Sequence, residues 1–172
     1  GWESIDRVSP NLDGGARGCI AGGAGPVKDN IDYITITTLG NGTDFGDLTQ
    51  SKFGGAGGGS RTRGVYMGGG TPTRLDEIDF ITFASAGNGQ DFGDLAQGAG
   101  SQGAGMSNQI RAIYAGRSSP NGIKNHIDYI TIATTGSGAD FGDIVSAGET
   151  MCGCQSSTRG IIAGGNSSPT VI

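Results

Sequence analysis

The sequence predicts an all-β fold made of repeated units, each of about four short strands. Three observations predict it. The segment "IDYITI" at Ile31 returns as "IDFITF" at Ile78 and "IDYITI" at Ile127, after 47 and then 49 residues. The tetrad Asp-Phe-Gly-Asp returns at Asp44, Asp91 and Asp140 with the same two steps. A third marker, an arginine followed by a strand that ends in glycine, starts at Arg17, Arg63, Arg111 and Arg159, with steps of 46, 48 and 48. Three markers holding nearly one period define a structural repeat.

Each unit reads in a fixed order. A glycine-rich stretch such as "FGGAGGGS" comes first, then a polar turn and the repeated Arg. An apolar run ending in a glycine pair follows, as in "VYMGGG", and then a loop whose wording changes from unit to unit. The "IDFITF" run comes next, then a Gly-Asn-Gly or Gly-Ser-Gly turn leading into "DFGDL". Apolar runs of four to six residues bounded by turn signals have strand spacing, and no longer stretch carries the helical period. The units fall at about 1–48, 49–95, 96–144 and 145–172, the first and last partial, within a single domain over 1–172.

Ile31, Tyr33 and Thr35 point to one face of their strand, and Asp32, Ile34 and Ile36 to the other. Large apolar groups on both faces demand cover on both faces, as in sheets stacked between sheets. Blades of a β-propeller stack in that way, and glycine lets crowded strands approach closely near the axis.

The order of strand, double glycine, variable loop, strand, turn and aromatic resembles the Kelch repeat. Gly68-Gly69 matches its double glycine, and Phe45, Phe92 and Phe141 stand where that family usually has tryptophan. The third unit departs from it with Gly116-Arg117. The wording "TRGVYMGGG…IDFITFASAGNGQDFGDL" is more similar to glycine-rich Kelch-like repeats in structural proteins of tailed bacteriophages, especially marine and cyanobacterial ones. That resemblance implies a virion component on the particle surface: a tail, fibre or capsid decoration. It implies contact with other virion proteins, with homo-oligomers or larger assemblies, and with host-surface glycan as a further partner. At the start, "GWESI" aligns with "DFGDL", Trp2 on Phe45 and Ile5 on Leu48, so four blades are expected. Three are complete, and one is split between the termini, with Thr170–Ile172 as a stub. The first residue is Gly, which suggests a processed product or a segment of something longer; an open array is the alternative to a ring.

Composition narrows the chemistry. Glycine supplies 36 of 172 residues, about three times ordinary usage, and aromatics are few, so any core is thin. A net charge of −5 argues against a nucleic-acid backbone as partner. No run of 18 apolar residues is present, so no membrane insertion by a helix is expected. Cys19, Cys152 and Cys154 lack disulfide or zinc spacing and read as small buried residues.

The tetrads are expected to be structural. Asp44, Asp91 and Asp140 would accept turn N–H groups, and Phe45, Phe92 and Phe141 would fill gaps between units. Asp47, Asp94 and Asp143 would pair with Arg17, Arg63, Arg111 and Arg159. A kinase-type magnesium site needs partners that are missing here. Calcium is the one cation the set Asn41, Asp44 and Asp47 would suit, but the ordered acidic ladder with its closing Glu is lacking, so no cofactor is expected. The Gly-x-Gly-x-x-Gly matches have no helix after them, so no dinucleotide site is expected. One histidine cannot build a multi-imidazole metal centre.

No catalytic constellation stands out, and the adjacent acids Asp76 and Glu77 are poor support for an enzyme. Binding would sit in the variable loops, where Lys28, Arg74, Arg117, Lys124 and His126 are the candidates. A lectin-like propeller that binds sugars is the alternative function.

Overall fold

The computed structural model describes residues 16–166. The split-unit alignments of Trp2 and Ile5, and the stub at Thr170–Ile172, lie outside them. Among the described residues all regular structure is β, in 13 strands and four antiparallel sheets, and no sheet closes into a barrel.

The first sheet holds β1 (Arg17–Gly23), β2 (Lys28–Thr35) and β3 (Thr43–Asp47) in that order. The second holds β4 (Ala56–Gly59), β5 (Arg63–Thr71), β6 (Thr73–Thr82) and β7 (Gln90–Asp94). The third repeats it with β8 (Ala104–Ser107), β9 (Arg111–Ser119), β10 (Gly122–Thr131) and β11 (Ala139–Asp143). The fourth holds only β12 (Glu149–Gln155) and β13 (Gly160–Asn166).

Neighbouring strands are joined by short turns, so every pairing is local and antiparallel. The first strands of successive units lie beside one another, β4 against β8 and β8 against β12. Glycine makes this contact close. A Cβ on Gly105 would press on the Gly57 backbone, and one on Gly153 on that of Gly105.

The core lies between the sheets. Phe92 of the second sheet packs with Ala112 and Ile130 of the third, and with Ile132 just past the end of β10. Phe45 of the first packs with Ile81 of the second. Apolar groups therefore alternate between a sheet's two faces, as the "IDYITI" wording predicts.

The cysteines depart from expectation. Cys19 is half-buried, and burial raises its thiol pKa against the opposing effect of Arg17. Cys152 and Cys154 are exposed. They occupy the β12 positions that correspond to Ala104 and Met106 of β8, both buried. Those two are covered by the following sheet, and among the described residues no sheet follows the fourth.

Candidate interaction surfaces

Successive units are locked together at the tetrads. In β3 the register shifts between Ile31↔Gly46 and Asp32↔Asp44, leaving Phe45 as the extra residue of a bulge. The same shift occurs in β7 and β11. The bulge turns the phenylalanine, and its carbonyl, towards the next unit. There the Gly-x-Gly turn docks on it: Gly87 N–H donates to Phe45 O (2.7 Å) and Gly89 N–H to Asp47 O (2.6 Å). One unit on, Gly136 N–H donates to Phe92 O (2.6 Å) and Gly138 N–H to Asp94 O (2.7 Å).

The tetrad glycine is required twice over. Gly93 has φ +136°, and a Cβ there would lie 2.5 Å from the Gly136 backbone. The first aspartate caps the bulge as expected in two units. Asp91 Oδ1 accepts Gly93 N–H at 3.0 Å, and Asp140 Oδ1 accepts Gly142 N–H at 2.9 Å.

The expected Asp–Arg pairing is overturned. Arg17, Arg63 and Arg111 lie instead over the rings of Tyr33, Phe80 and Tyr129, at 4.9, 4.7 and 4.7 Å. Arg17 then donates to Phe83 O of the second unit, and Arg63 to Ile132 O (3.1 Å) and Ala133 O (3.2 Å) of the third. The β-sheet register explains this. The arginine at the start of the second strand faces the aromatic of the third strand, and the acids of the tetrad lie a strand further out. Each ring also meets its unit's phenylalanine edge to face, at 6.0 Å in all three units.

The predicted gap-filling holds for two phenylalanines and fails for one. Phe45 and Phe92 are 2% and 3% exposed, but Phe141 is 52% exposed. Among the described residues no β6- or β10-like strand covers Phe141, because the fourth sheet there holds two strands.

The variable-loop candidates are placed differently from expectation. All five lie on strands, because the β1–β2, β5–β6 and β9–β10 ladders extend into the variable segments. Lys28 is exposed at the start of β2. Arg74 is partly buried and donates to Ser118 O (3.3 Å) and Ser118 Oγ (3.0 Å), tying the second hairpin to the third. Lys124 and His126 are partly buried, and Nδ1 of His126 is enclosed without a partner. Arg117 is fully buried, so it is withdrawn as a surface candidate. Its partner is Asp128, Nη2 to Oδ2 at 2.7 Å. Only the tips at 24–27, Pro72 and Pro120-Asn121 remain as turns.

Two buried ion clusters went unseen in the sequence. In the second unit Lys52 lies over the Tyr66 ring (5.7 Å) and bonds Asp79 (2.9 Å) and Glu77 (3.1 Å). In the third, Arg117 lies over Tyr114 (5.0 Å) and bonds Asp128. The two cations fill the same space from different points in the unit. Lys52 comes from the connector and faces Gly69; Arg117 comes from β9, and a Cβ on the connector residue Gly100 would collide with its side chain. Cation and glycine have changed places, with arginine as the cation in the third unit. The only hints were Gly116-Arg117 in place of a glycine pair and the isolated Lys52.

The tyrosine hydroxyls complete the clusters. Tyr66 Oη accepts Gly55 N–H (2.9 Å) and Tyr114 Oη accepts Gly103 N–H (3.3 Å). Burial pushes the Tyr114 hydroxyl up to about 12.

Burial alone would raise Glu77. Hydrogen bonds from Thr49 and Lys52, with the Lys52 charge, outweigh it and hold the carboxyl at about 2. A folded value below the ordinary 4.5 gives stability that is present above pH 4.5 and is lost as pH falls towards 2. Asp79 is shifted the opposite way, raised chiefly by burial. Glu77 and Asp79 share Lys52, so the comparison of parent with Glu77→Gln reads Glu77 together with its effect on Asp79. Between pH 4.5 and 2 the urea midpoint of the parent is expected to fall more steeply than that of Glu77→Gln. Parallel curves would contradict the assignment.

No three His, Cys, Asp or Glu side chains among the described residues group as a metal site. Among the described residues no helix is long and apolar enough to cross a membrane. No protein-family model matches the chain, and no curated protein matches it in sequence.

Proposed function

We propose that the chain is a non-enzymatic structural and interaction module of a tailed-bacteriophage virion, with its sheets arranged as blades of a Kelch-like β-propeller. The propeller part is supported by the stacking: first strands lie side by side, and a phenylalanine fills each covered gap. In a four-bladed arrangement β12 and β13 begin the last blade. The phage part rests on the wording of the repeat; in this reading the module stands on the outside of the particle among other virion proteins.

One observation carries the non-enzymatic reading. The buried charged side chains among the described residues are Lys52, Asp79, Arg117 and Asp128, and they neutralise one another in pairs. Glu77, half of the adjacent acid pair, is bound to Lys52. Charge here fixes strand geometry instead of being held ready for a substrate. Contacts with partners would be made by the hairpin tips at one end of the units, where the sequence changes most.

Antibodies raised against the chain should decorate discrete positions on purified phage particles in immunogold micrographs. Finding the chain only among unassembled soluble proteins of the lysate would contradict the virion reading. Reproducible binding of one sugar series on a glycan array would favour the lectin instead.

A further inference from the structure

A groove of about 260 Å³ lies between the third and fourth sheets, lined by Met106, Ile113, Phe141, Gly160 and the arginines Arg111 and Arg159. One unit earlier the equivalent space is full. Ile130 and Ile132, 3% and 1% exposed, pack there beside Phe92, and Ile132 O accepts from Arg63. We infer that this groove, with the outer edge of β13, is a receptor for a β-strand of Ile-x-Ile wording followed by a Gly-x-Gly turn, the third-strand segment of a further repeat unit. This stands independently of the virion reading.

Each surface that such a segment would meet is presented and unmatched among the described residues. Among the described residues no strand pairs with the outer edge of β13, while β5 and β9 carry β6 and β10 there. Ile161 is 56% exposed and Phe141 52%. Among the described residues no turn N–H donates to the carbonyls of Phe141 and Asp143, whereas those of Phe45, Asp47, Phe92 and Asp94 take glycine N–H groups. The space above Gly142 is open, where Gly46 and Gly93 each touch a turn. Arg159 stands where Arg63 and Arg111 hold an aromatic of the third strand.

An added strand would thus gain main-chain bonds from the edge and side-chain specificity from the groove. An acidic or sugar ligand drawn to the two arginines would need neither isoleucine.

The test uses a fluorescent peptide with the sequence of residues 124–138, KNHIDYITIATTGSG, titrated with the whole chain. Anisotropy should saturate, and amide exchange should slow at Gly160–Asn166. Changing Ile130 and Ile132 of the peptide to Ser should weaken binding at least tenfold. The Phe141→Ser chain, altered at an exposed side chain, should show a similar loss. No binding, equal binding of the Ser peptide, an unaffected Phe141→Ser chain, or protection at other strands would each overturn the proposal.

Discussion

Phe92→Ala is expected to lower the unfolding free energy by about 3–5 kcal/mol, while Phe141→Ala costs only about 1 kcal/mol. The two residues have the same letter, the same tetrad and the same edge-to-face ring partner geometry. They differ in what covers them: Phe92 is 3% exposed against the third sheet, and Phe141 is 52% exposed. The cost at Phe92 is lost apolar transfer plus a cavity between sheets that glycine-close backbones cannot easily collapse. Urea denaturation of both variants measures it. Equal effects at the two sites would show that the phenylalanines serve their own sheets and not the gaps.

Arg117→Met carries the second large effect. Asp128 is 1% exposed and takes its short contact, 2.7 Å, from Arg117; its remaining bond, from Gln97 N–H, is 3.4 Å long. Oδ1 of Asp128 has no partner. Removing the cation leaves a buried carboxylate uncompensated, which costs about 3–5 kcal/mol. The second unit supplies the rescue. Combining Arg117→Gly with Gly100→Lys recreates the Lys52 and Gly69 arrangement and should recover most of the loss. If Arg117→Met is as stable as the parent, the pair contributes nothing; if the double change fails where Arg117→Met is damaging, the two clusters are not equivalent.

Much of the fold was legible because it is written three times. Repetition separates the letters that build from those that vary. The strand order within each unit follows from turn signals and apolar runs, and the bulge is announced by a glycine at a fixed place after each phenylalanine. What failed was partner choice. The repeated arginine and the tetrad acids share a phase, which in the sequence alone points to a pair. Phase along the chain does not say which strand lies between two residues. In the sheet the third strand intervenes, and its aromatic ring takes the guanidinium.

The exchange of Lys52 and Gly69 for Gly100 and Arg117 was hidden for a similar reason. Its members are 17 residues apart, and they meet only because the connector returns beneath the hairpin. Arg117 looked like a free loop charge because its segment was variable. Variation there marks a compensated swap, not freedom.

The units are fastened to one another through the turns, and amide exchange followed by NMR tests this most directly. Gly87, Gly89, Gly136 and Gly138 lie in turns, where amides ordinarily exchange fast, yet each donates to the preceding unit. They are expected to exchange as slowly as the amides of β5 and β9. Fast exchange at these four glycines, with β5 and β9 still protected, would mean that the sheets stand alone.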